Sequence, residues 1–558
     1  MSADRSSRRY VLAFLFISSL IISQYVPLYS TIYFILDPSL QHEEVRIIFP
    51  YHRYADPELF QNDYITRYLD SIDNNYSFQM MNFAWANFFG DLVPFHLYVL
   101  PFVSWLAFLA GVHVAAKGMG GAPVAWGAMA LALSQTNILY QILSSTPHAF
   151  AFPLLAWMVA AMQCRRCWLL MLLIILSAFL YPPCAVIGGL SFAWFFIPTR
   201  AERQALPAGA WGWRRRILAL VVTGAVALGV SATSLVRPNE FGQVIDPNTQ
   251  VEAYPEAGSE GRHFIGTQKP IVYSISSFAK QFRLAIGSES FAKGLFLLYV
   301  ALCLTFLVAK RDDQRFRPLW AFCGGALVAG LLGALLVPGL AYRFIYYPLH
   351  TLFAFAVPLV AVWGIQRFSS AAGPIRRHLL LSSAVAVLLL SMTMDRAYPG
   401  GKAALVIHLN SDQQKVLGFI ATMPKDTLVA GWPTGLIESV PYFAKRPALI
   451  LNKTHYPIHT GYVAEMRRRM YALIDAYFAV EARPLVKLRD EWGVDLLIAS
   501  EARLRKGPGK TDYFEPFETY LRALAQADPG RVPYLLRPAP GAVLFRAGDL
   551  SVIDLRRL

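Results

Sequence analysis

The sequence is poor in charge, since only 16% of its 558 residues are Asp, Glu, Lys or Arg while 55% are hydrophobic. An average soluble domain has about 25% charged residues, which excludes a single ordinary soluble domain. Cysteine is also scarce. All five cysteines lie in or beside apolar runs, so no soluble part can be built on disulfides. The fold is therefore expected to be held together by packing.

Several catalytic motifs are missing as well. No GxGxxG, GxSxG or HExxH pattern stands in a suitable place, which leaves nucleotide-dependent redox chemistry, serine hydrolysis and zinc proteolysis without support. Residues 507–511 resemble the end of a phosphate-binding loop, but Leu504 stands where the first glycine is required. The pair Cys164 and Cys167 has no second pair with which to bind zinc.

What the chain has in abundance is apolar runs near 20 residues long, which recur along its first 395 positions. Each is long enough to cross a hydrocarbon core of about 30 Å. We therefore predict an α-helical polytopic membrane protein with eleven spans, at 11–36, 92–115, 122–143, 149–163, 167–181, 183–198, 217–236, 291–309, 317–340, 345–366 and 379–395.

The distribution of charge predicts the topology. The net charge of +15 need not indicate nucleic-acid binding, because 18 of the 51 basic residues fall in the segments that are inside when the N-terminus is cytoplasmic. Arg343 is the only Lys or Arg in the short outer turns 144–148, 181–183 and 341–348. We predict a transmembrane domain at 1–395 and an extracytoplasmic α/β domain at 396–558.

The first outer loop, 37–91, is acidic, with nine Asp and Glu against three Arg. Asp56 before Pro57 suits a helix N-cap, and a helix is predicted from Pro57 to about Asp70. In that helix Asp63 and Arg67 would have the spacing of an ion pair. A catalytic role for these acids competes with simple capping of a solvated helix.

The second outer loop, 237–290, is rich in glycine, proline and polar residues. Its length predicts a flexible cover, in which the glycine before Arg262 would let the guanidinium approach an anionic ligand. Disorder without a role is the alternative. Arg343 stands on the outer side against the charge bias, so it should have an anionic partner, either a carboxylate or a lipid phosphate.

The tail mixes charged residues with short apolar runs. Strands are predicted at 427–431, 448–451, 495–499 and 542–546, and helices at 461–480 and 517–525. His455 and His459 are expected in a surface loop, with contact to a substrate as the alternative. The triplet Arg467–Arg469 is expected on a solvated or headgroup-facing helix side.

This arrangement resembles the GT-C class of membrane glycosyltransferases, which includes protein O-mannosyltransferases, aminoarabinose transferases and oligosaccharyltransferases. Members have an essential acid in the first outer loop, a second large outer loop after the seventh span and often an outer C-terminal domain. Arg343-Phe344-Ile345-Tyr346-Tyr347-Pro348 is similar to the Arg-Tyr-x-x-x-Pro of a late outer loop. The chain looks like bacterial members of the O-mannosyltransferase or aminoarabinose transferase type.

The resemblance implies sugar transfer from a polyprenyl-phosphate donor to a glycan, lipid or protein acceptor outside the inner membrane, in cell-envelope polysaccharide biosynthesis. Asp56 and Asp63 are the candidate catalytic acids. The family acid closely follows the first span, which keeps Asp37 open too. Arg343, Arg262 and Glu58 are the candidate substrate-binding residues.

No nucleic-acid partner and no certain cofactor are expected, although a divalent metal, Mg²⁺ or Mn²⁺, with Asp56 as its ligand is left open. Two other functions remain alternatives. One is a lipid or polysaccharide translocase or ligase-polymerase, and the other is a non-catalytic membrane scaffold of the same fold. A shared outer cavity of an acid and Arg343 would favour the enzyme, whereas a continuous polar path through the spans would favour translocation.

Overall fold

The computed structural model describes only part of the chain. The residues it describes are 40–73, 75–134, 136–196, 217, 218, 221, 224, 225, 239–246, 249–262, 305, 306, 308–310, 313–336, 341–369, 406–508, 513–528 and 530–558. The predicted spans 11–36 and 379–395 and the candidate acid Asp37 lie outside the described residues, as do most of the predicted spans 217–236 and 291–309.

The chain divides into two compact units. The first, here called the membrane unit, draws on Met1–His42, His96–Val236 and Lys269–Val406. The second, here called the loop–tail unit, draws on Glu43–Phe95, Arg237–Gln268 and Ile407–Leu558. Parts of both outer loops therefore fold with the tail.

The membrane unit is helical in its described part. Its helices are Leu100–Ser134, Thr136–Leu143, Ala151–Gln163, Cys167–Leu180, Pro182–Phe196, Arg317–Leu336 and Ala341–Ser369. Among the described residues, three stretches are long and apolar enough to cross a membrane, namely Phe95–Ala122, Gln314–Ala334 and Tyr342–Val360. Cys167–Leu180 and Pro182–Phe195 are apolar but shorter. These helices support a membrane protein, and the number of eleven spans remains a prediction.

The long helix Leu100–Ser134 is broken at Gly121, whose φ of 78° and ψ of −170° are not helical. Glycine reaches this conformation without the steric cost that a Cβ atom would add. The break separates two helices, in agreement with the prediction of two spans at 92–115 and 122–143.

Small residues let the membrane helices pack closely. A Cβ atom added to Gly325 would lie 2.4 Å from the backbone nitrogen of Ser191, so the helix Arg317–Leu336 can approach Pro182–Phe196 only through a glycine. A larger side chain can also connect two helices by a hydrogen bond. The indole nitrogen of Trp157 donates to the backbone carbonyl of Ala107, on the neighbouring helix, at 2.8 Å. Close backbone approach and such hydrogen bonds are the forces that hold helices together in lipid.

Strands lie mainly in the loop–tail unit. They are β1 (Leu40–His42), β2 (Val406–His408), β3 (Val429–Gly431), β4 (Leu496–Ser500), β5 (Val543–Ala547) and β6 (Leu550–Asp554). One sheet has the order β3-β4-β6-β5, with β3 parallel to β4 and β6 antiparallel to both of its neighbours.

Three of the predicted strands are confirmed, as β3, β4 and β5. The prediction at 448–451 is wrong, because only Ala448 bridges to Val429 there. Strand β6 was not predicted, although its central residues Val552 and Ile553 are fully buried.

Helices complete the loop–tail unit. They are Tyr64–Ile72, Tyr76–Phe89, Ser411–Ala421, Thr460–Tyr477, Arg483–Trp492, Glu501–Lys506 and Phe517–Ala527. The predictions at 461–480 and 517–525 are confirmed. In the first of these, Val463, Met466, Met470 and Leu473 are buried at the spacing of one helix face, which is the pattern the sequence shows.

The described part of the second outer loop is tied to the tail by backbone hydrogen bonds. Ile245 N donates to Ile458 O at 2.8 Å, Thr460 N to Gln243 O at 2.9 Å and Gly461 N to Phe241 O at 2.8 Å. The prediction of a flexible cover is therefore wrong for this stretch. Backbone groups of residues 241–245 form hydrogen bonds with residues 458–461, where the helix Thr460–Tyr477 begins.

A buried ion pair fixes the next stretch of the same loop. The guanidinium of Arg467 donates to both carboxylate oxygens of Glu256, at 2.7 and 2.6 Å, and Glu256 is fully buried. Arg469 pairs with Glu465 at 3.0 Å. Of the three arginines, only Arg468 has most of its side chain exposed to solvent, at 70%. The expectation of a solvated arginine triplet is therefore correct for Arg468 alone.

We expect Glu256→Ala to destabilise the loop–tail unit by about 3 kcal/mol, because Arg467 would remain half-buried without its partner. Thermal unfolding of the purified full chain and hydrogen exchange of residues 249–262 measure this effect. Glu252→Ala, an exposed acid in the same stretch, is the control and should change stability by less than about 0.5 kcal/mol. Equal losses in both variants would contradict a specific role for the pair.

Candidate functional site

Three short turns of the membrane unit are linked through Tyr181, whose ring lies 5.1 Å from that of His148 and which interacts electrostatically with Arg343. They are the turn before the 3-10 helix Pro147–Phe150, Tyr181 after the helix Cys167–Leu180, and the first turn of Ala341–Ser369, which contains Arg343. In the first turn, Ser144 and Thr146 are buried and share a hydrogen bond of 2.9 Å between their hydroxyls. These are the turns that the charge distribution predicts on the outer side.

Tyrosines surround the guanidinium of Arg343. Its Nε donates to the hydroxyl of Tyr342 at 3.2 Å, and Tyr181 and Tyr347 are close enough to interact with it electrostatically. The rings of Tyr181 and Tyr347 are 5.4 Å apart, and the hydroxyl of Tyr347 donates to Gln141 at 3.5 Å. We call this group the Arg343 cluster: Arg343, Tyr181, Tyr342, Tyr347 and Gln141.

The Arg343 cluster has a cation and hydroxyl groups but no carboxylate. Within the described residues of the membrane unit, no Asp or Glu forms an ion pair with Arg343. Phenol and guanidinium groups donate hydrogen bonds, and a guanidinium binds phosphate with two parallel bonds. The cluster is therefore suited to an anion such as a phosphate group.

The acidic residues of the first outer loop belong to the loop–tail unit, where the predicted helix begins later than expected. Residues 57–62 form turns, Phe60 has a left-handed φ of 56°, and the helix runs from Tyr64 to Ile72. The prediction of a helix beginning at Pro57 and capped by Asp56 is wrong, because residues 57–62 form turns and a second acid caps the helix.

That cap is Asp63. Its carboxylate accepts hydrogen bonds from the backbone nitrogen of Thr66 at 2.9 Å and from the Thr66 hydroxyl at 2.7 Å. Burial raises the pKa of Asp63, and the bonds from Thr66 oppose that shift. The predicted ion pair of Asp63 with Arg67 is absent, since Arg67 instead pairs with Glu240 at 2.9 Å. These contacts favour the capping interpretation for Asp63.

Asp56 has a different environment. The ammonium of Lys425 lies 2.8 Å from Asp56 and 2.7 Å from Glu58, and 36% of the Asp56 side chain is exposed. The hydrogen bond from Lys425 lowers the pKa of Asp56, so the carboxylate is ionised at neutral pH. Sequence reasoning missed Lys425, because an isolated lysine 369 positions away from Asp56 leaves no local pattern.

Arg262 is anchored to the tail. Its Nε donates to the backbone carbonyl of Asn452 at 2.9 Å, and its own backbone nitrogen donates to Glu256 O at 2.8 Å. A Cβ atom on Gly261 would lie 2.2 Å from the Glu256 carbonyl oxygen, so this close turn requires glycine. The terminal nitrogens of Arg262 make no hydrogen bond to the residues that the structure describes.

Beside Arg262 lies a buried histidine. His455 is fully buried, its Nδ1 is 3.3 Å from the hydroxyl of Tyr513, and its ring packs on Phe514 and Phe517. Burial, with the positive charges of Arg262 and Arg467, lowers the pKa of His455 to about 3. The expectation that His455 lies in a surface loop is wrong, because aromatic residues far along the chain cover it.

His459 is covered in a similar way. Its exposed fraction is 7%, and its Nδ1 is 3.1 Å from the hydroxyl of Tyr68. Tyr68 in turn stacks on Tyr462 with ring centroids 3.4 Å apart. The surface-loop expectation is wrong for this histidine too, and both imidazoles serve packing in the loop–tail unit.

Among the residues that the structure describes, those predicted to hold a metal do not fit one. Among the described residues, no three His, Cys, Asp or Glu side chains lie close enough together to bind an ion. Asp56, the predicted ligand, contacts the ammonium of Lys425, and that positive charge would oppose a cation at the same carboxylate.

Comparison with solved structures identifies the fold. The oligosaccharyltransferase of Archaeoglobus fulgidus, crystallised with zinc and sulfate, is similar with a TM-score of 0.50 and 11% identity, over 87% of this chain and 67% of that chain. ArnT from Cupriavidus metallidurans has a TM-score of 0.47 and 14% identity, over 99% of this chain and 98% of that chain. ArnT bound to undecaprenyl phosphate has a TM-score of 0.45 and 14% identity, over 98% of each chain.

The structural neighbours are thus GT-C glycosyltransferases, and the predicted resemblance is confirmed at the level of the fold. At these identities the likeness concerns the fold alone. No protein-family model matches the sequence, and a search of curated proteins finds no significant match.

The burial of His455 predicts a pH dependence of stability. An unfolded histidine has a pKa near 6.5 whereas the folded pKa is about 3, so between these values the unfolded chain binds more protons. Stability is full above about pH 6.5 and should fall by up to about 1.4 kcal/mol per pH unit below it. His455→Leu should flatten this slope, as measured by hydrogen exchange of residues 452–463 at several pH values.

Two features keep this test specific. His52 is also buried, with its pKa lowered to about 3 mainly by burial, so a slope from that residue should survive in His455→Leu. Tyr513→Phe removes the hydrogen bond but keeps the imidazole, and it should retain the wild-type slope. An unchanged slope in His455→Leu would show that this histidine does not titrate on unfolding.

Proposed function

We propose that the chain is an integral-membrane glycosyltransferase, which moves a sugar from a polyprenyl-phosphate-linked donor to an acceptor on the extracytoplasmic face of the bacterial inner membrane. The acceptor class, a glycan, lipid or protein, belongs to the cell envelope. One observation carries the proposal: an arginine that forms no ion pair with the described residues of its own unit stands among tyrosines at the start of a membrane helix, in a fold similar to that of GT-C glycosyltransferases.

The chemistry requires a cationic site for the donor phosphate. Transfer forms a bond from an acceptor oxygen to the anomeric carbon and breaks the bond from that carbon to the phosphate oxygen. The polyprenyl phosphate leaves with the electron pair of the broken bond. Arg343 offers two-pronged hydrogen bonds to the phosphate, and the hydroxyls of the Arg343 cluster add further donors. ArnT has been crystallised with undecaprenyl phosphate, which supports a lipid phosphate as the ligand here.

The same reaction requires a base for the acceptor proton. We propose Asp56 over Asp63, because the Asp56 side chain is 36% exposed and ionised whereas Asp63 is 7% exposed and accepts two hydrogen bonds as a helix cap. A base must be within hydrogen-bond reach of its substrate, which favours the accessible carboxylate. Lys425 then acts as a positioning residue that holds Asp56.

Glu58 and Arg262 are proposed to bind polar groups of the substrates. Glu58 is exposed on 73% of its side chain and shares Lys425 with Asp56. Arg262 is held in place through Nε by the Asn452 carbonyl, which leaves its terminal nitrogens for an anionic group.

The direct experiment incubates the purified full chain with a labelled polyprenyl-phosphate sugar and measures transfer to envelope acceptors. Product that depends on both substrates supports the proposal. A folded protein that binds the donor without forming product would reassign the chain to lipid translocation or to a scaffold of the same fold.

The first variant to test is Asp56→Asn, which should abolish transfer because an amide cannot accept the acceptor proton. Asp63→Asn should remain active, since Asn also caps helices. Asp412→Asn, which removes an exposed carboxylate paired with Lys415, is the matched control and should remain active. Loss of activity in Asp63→Asn together with retained activity in Asp56→Asn would move the base to Asp63.

The second variant is Arg343→Ala, which should weaken apparent donor affinity by about tenfold to hundredfold, because a charged hydrogen-bond donor is lost. Arg343→Lys should be less impaired, as it keeps the charge but not the planar geometry. If negative charge on the leaving phosphate grows in the transition state, turnover should fall as well.

Donor titration of the folded variants decides the role of Arg343. Arg166→Ala, an exposed arginine in the turn after the helix Ala151–Gln163, should behave as wild type. Unchanged affinity and turnover in Arg343→Ala would remove this arginine from the site. A destabilised variant that is rescued by removing a carboxylate elsewhere would instead assign Arg343 to a structural ion pair.

A further inference from the structure

A second polar site lies at the opposite end of the membrane helices from the Arg343 cluster. A cavity of about 180 Å³ opens where the helices Ala151–Gln163 and Pro182–Phe196 end and the helix Arg317–Leu336 begins. Its lining includes Arg165, Arg315, Arg317, Gln163, Gln314 and Phe195. We call it the arginine cavity.

The arginine cavity has positive charge that the carboxylates of the described residues do not neutralise. Arg317 donates to the carbonyl of Phe195 at 2.7 Å, which caps the end of that helix. Arg315 pairs with Asp313 at 2.7 Å and is still 63% exposed. Arg165 has no carboxylate partner among the residues that the structure describes. The positive charge of Arg165 is thus not offset by a carboxylate of the described residues, and the positive end of the helix Arg317–Leu336 adds to its field.

The surroundings of the cavity indicate the membrane interface. Trp168 and Trp194, on the two helices next to the lining arginines, are 61% and 51% exposed. Exposed tryptophans beside basic residues are typical of the headgroup level, and Phe195 supplies an apolar wall beside the charges. The charge distribution predicts that this end of the helices faces the cytoplasm, whose membrane leaflet is anionic.

We propose that the arginine cavity binds the phosphate group of an anionic phospholipid. The volume has room for a phosphate with several waters, at about 30 Å³ per water. Two or more guanidinium groups around one phosphate give charge-assisted hydrogen bonds of defined geometry. A bound lipid would join the ends of three helices, so its binding stabilises the membrane unit. This site is independent of the proposed sugar transfer.

The test uses the purified full chain in phosphatidylcholine nanodiscs, with and without phosphatidylglycerol. Phosphatidylglycerol should raise the thermal midpoint and co-purify with the protein. In the double variant Arg165→Gln/Arg315→Gln the affinity for phosphatidylglycerol should fall on the order of tenfold or more, since two phosphate contacts are lost. The double variant Arg166→Gln/Lys117→Gln removes the same charge from exposed residues that do not line the cavity, and its affinity should not change.

Two outcomes would overturn the proposal. Equal losses in the two double variants would assign the effect to general surface charge rather than to the cavity. Equal stabilisation by inorganic phosphate in pure phosphatidylcholine nanodiscs, with displacement of phosphatidylglycerol, would identify a site for free phosphate. If Arg165→Gln/Arg315→Gln does not fold, the exposed single variant Arg165→Gln replaces it, and unchanged lipid affinity there would also contradict the proposal.

Discussion

The cost of placing charge in a hydrocarbon layer governs the membrane unit. Backbone polar groups must be satisfied within helices, and charged side chains are driven to the helix ends. Those arginines of this unit that the structure describes accordingly stand at turns and near the first or last residues of helices, as Arg317 and Arg343 do. The ends of the membrane helices therefore carry basic groups next to apolar side chains, and this combination is suited to binding lipid phosphates. Both proposed anion sites are consequences of this one constraint.

The loop–tail unit depends on a different interaction, the burial of polar groups with their partners. Glu256 is fully buried because Arg467 meets both of its oxygens, and the same stretch brings Arg262 to the carbonyl of Asn452. Three segments that are far apart in the chain thus form one unit. A buried pair of this kind gives little net stability, but breaking it is costly, so it specifies which segments associate.

The two candidate acids show how the environment separates residues of the same type. Asp63 faces backbone and hydroxyl donors that complete a helix cap, and Asp56 faces an exposed lysine. Their pKa values are shifted in opposite directions, upward for Asp63 by burial and downward for Asp56 by Lys425. Such divergence is how proteins assign different roles to carboxylates, and it underlies the choice of Asp56 as the proposed base.

The sequence by itself determined the helical membrane class, the unusual place of Arg343 and most strands of the tail, because hydrophobic periodicity and charge bias are local patterns. It also determined that an acid would cap a helix in the first loop. Tertiary structure decided which acid does so, since residues 57–62 form turns and the helix begins at Tyr64. It also decided the burial of His455 and the pairing of Asp56 with Lys425. These contacts join residues far apart in the chain, and no local pattern records which distant side chains will meet.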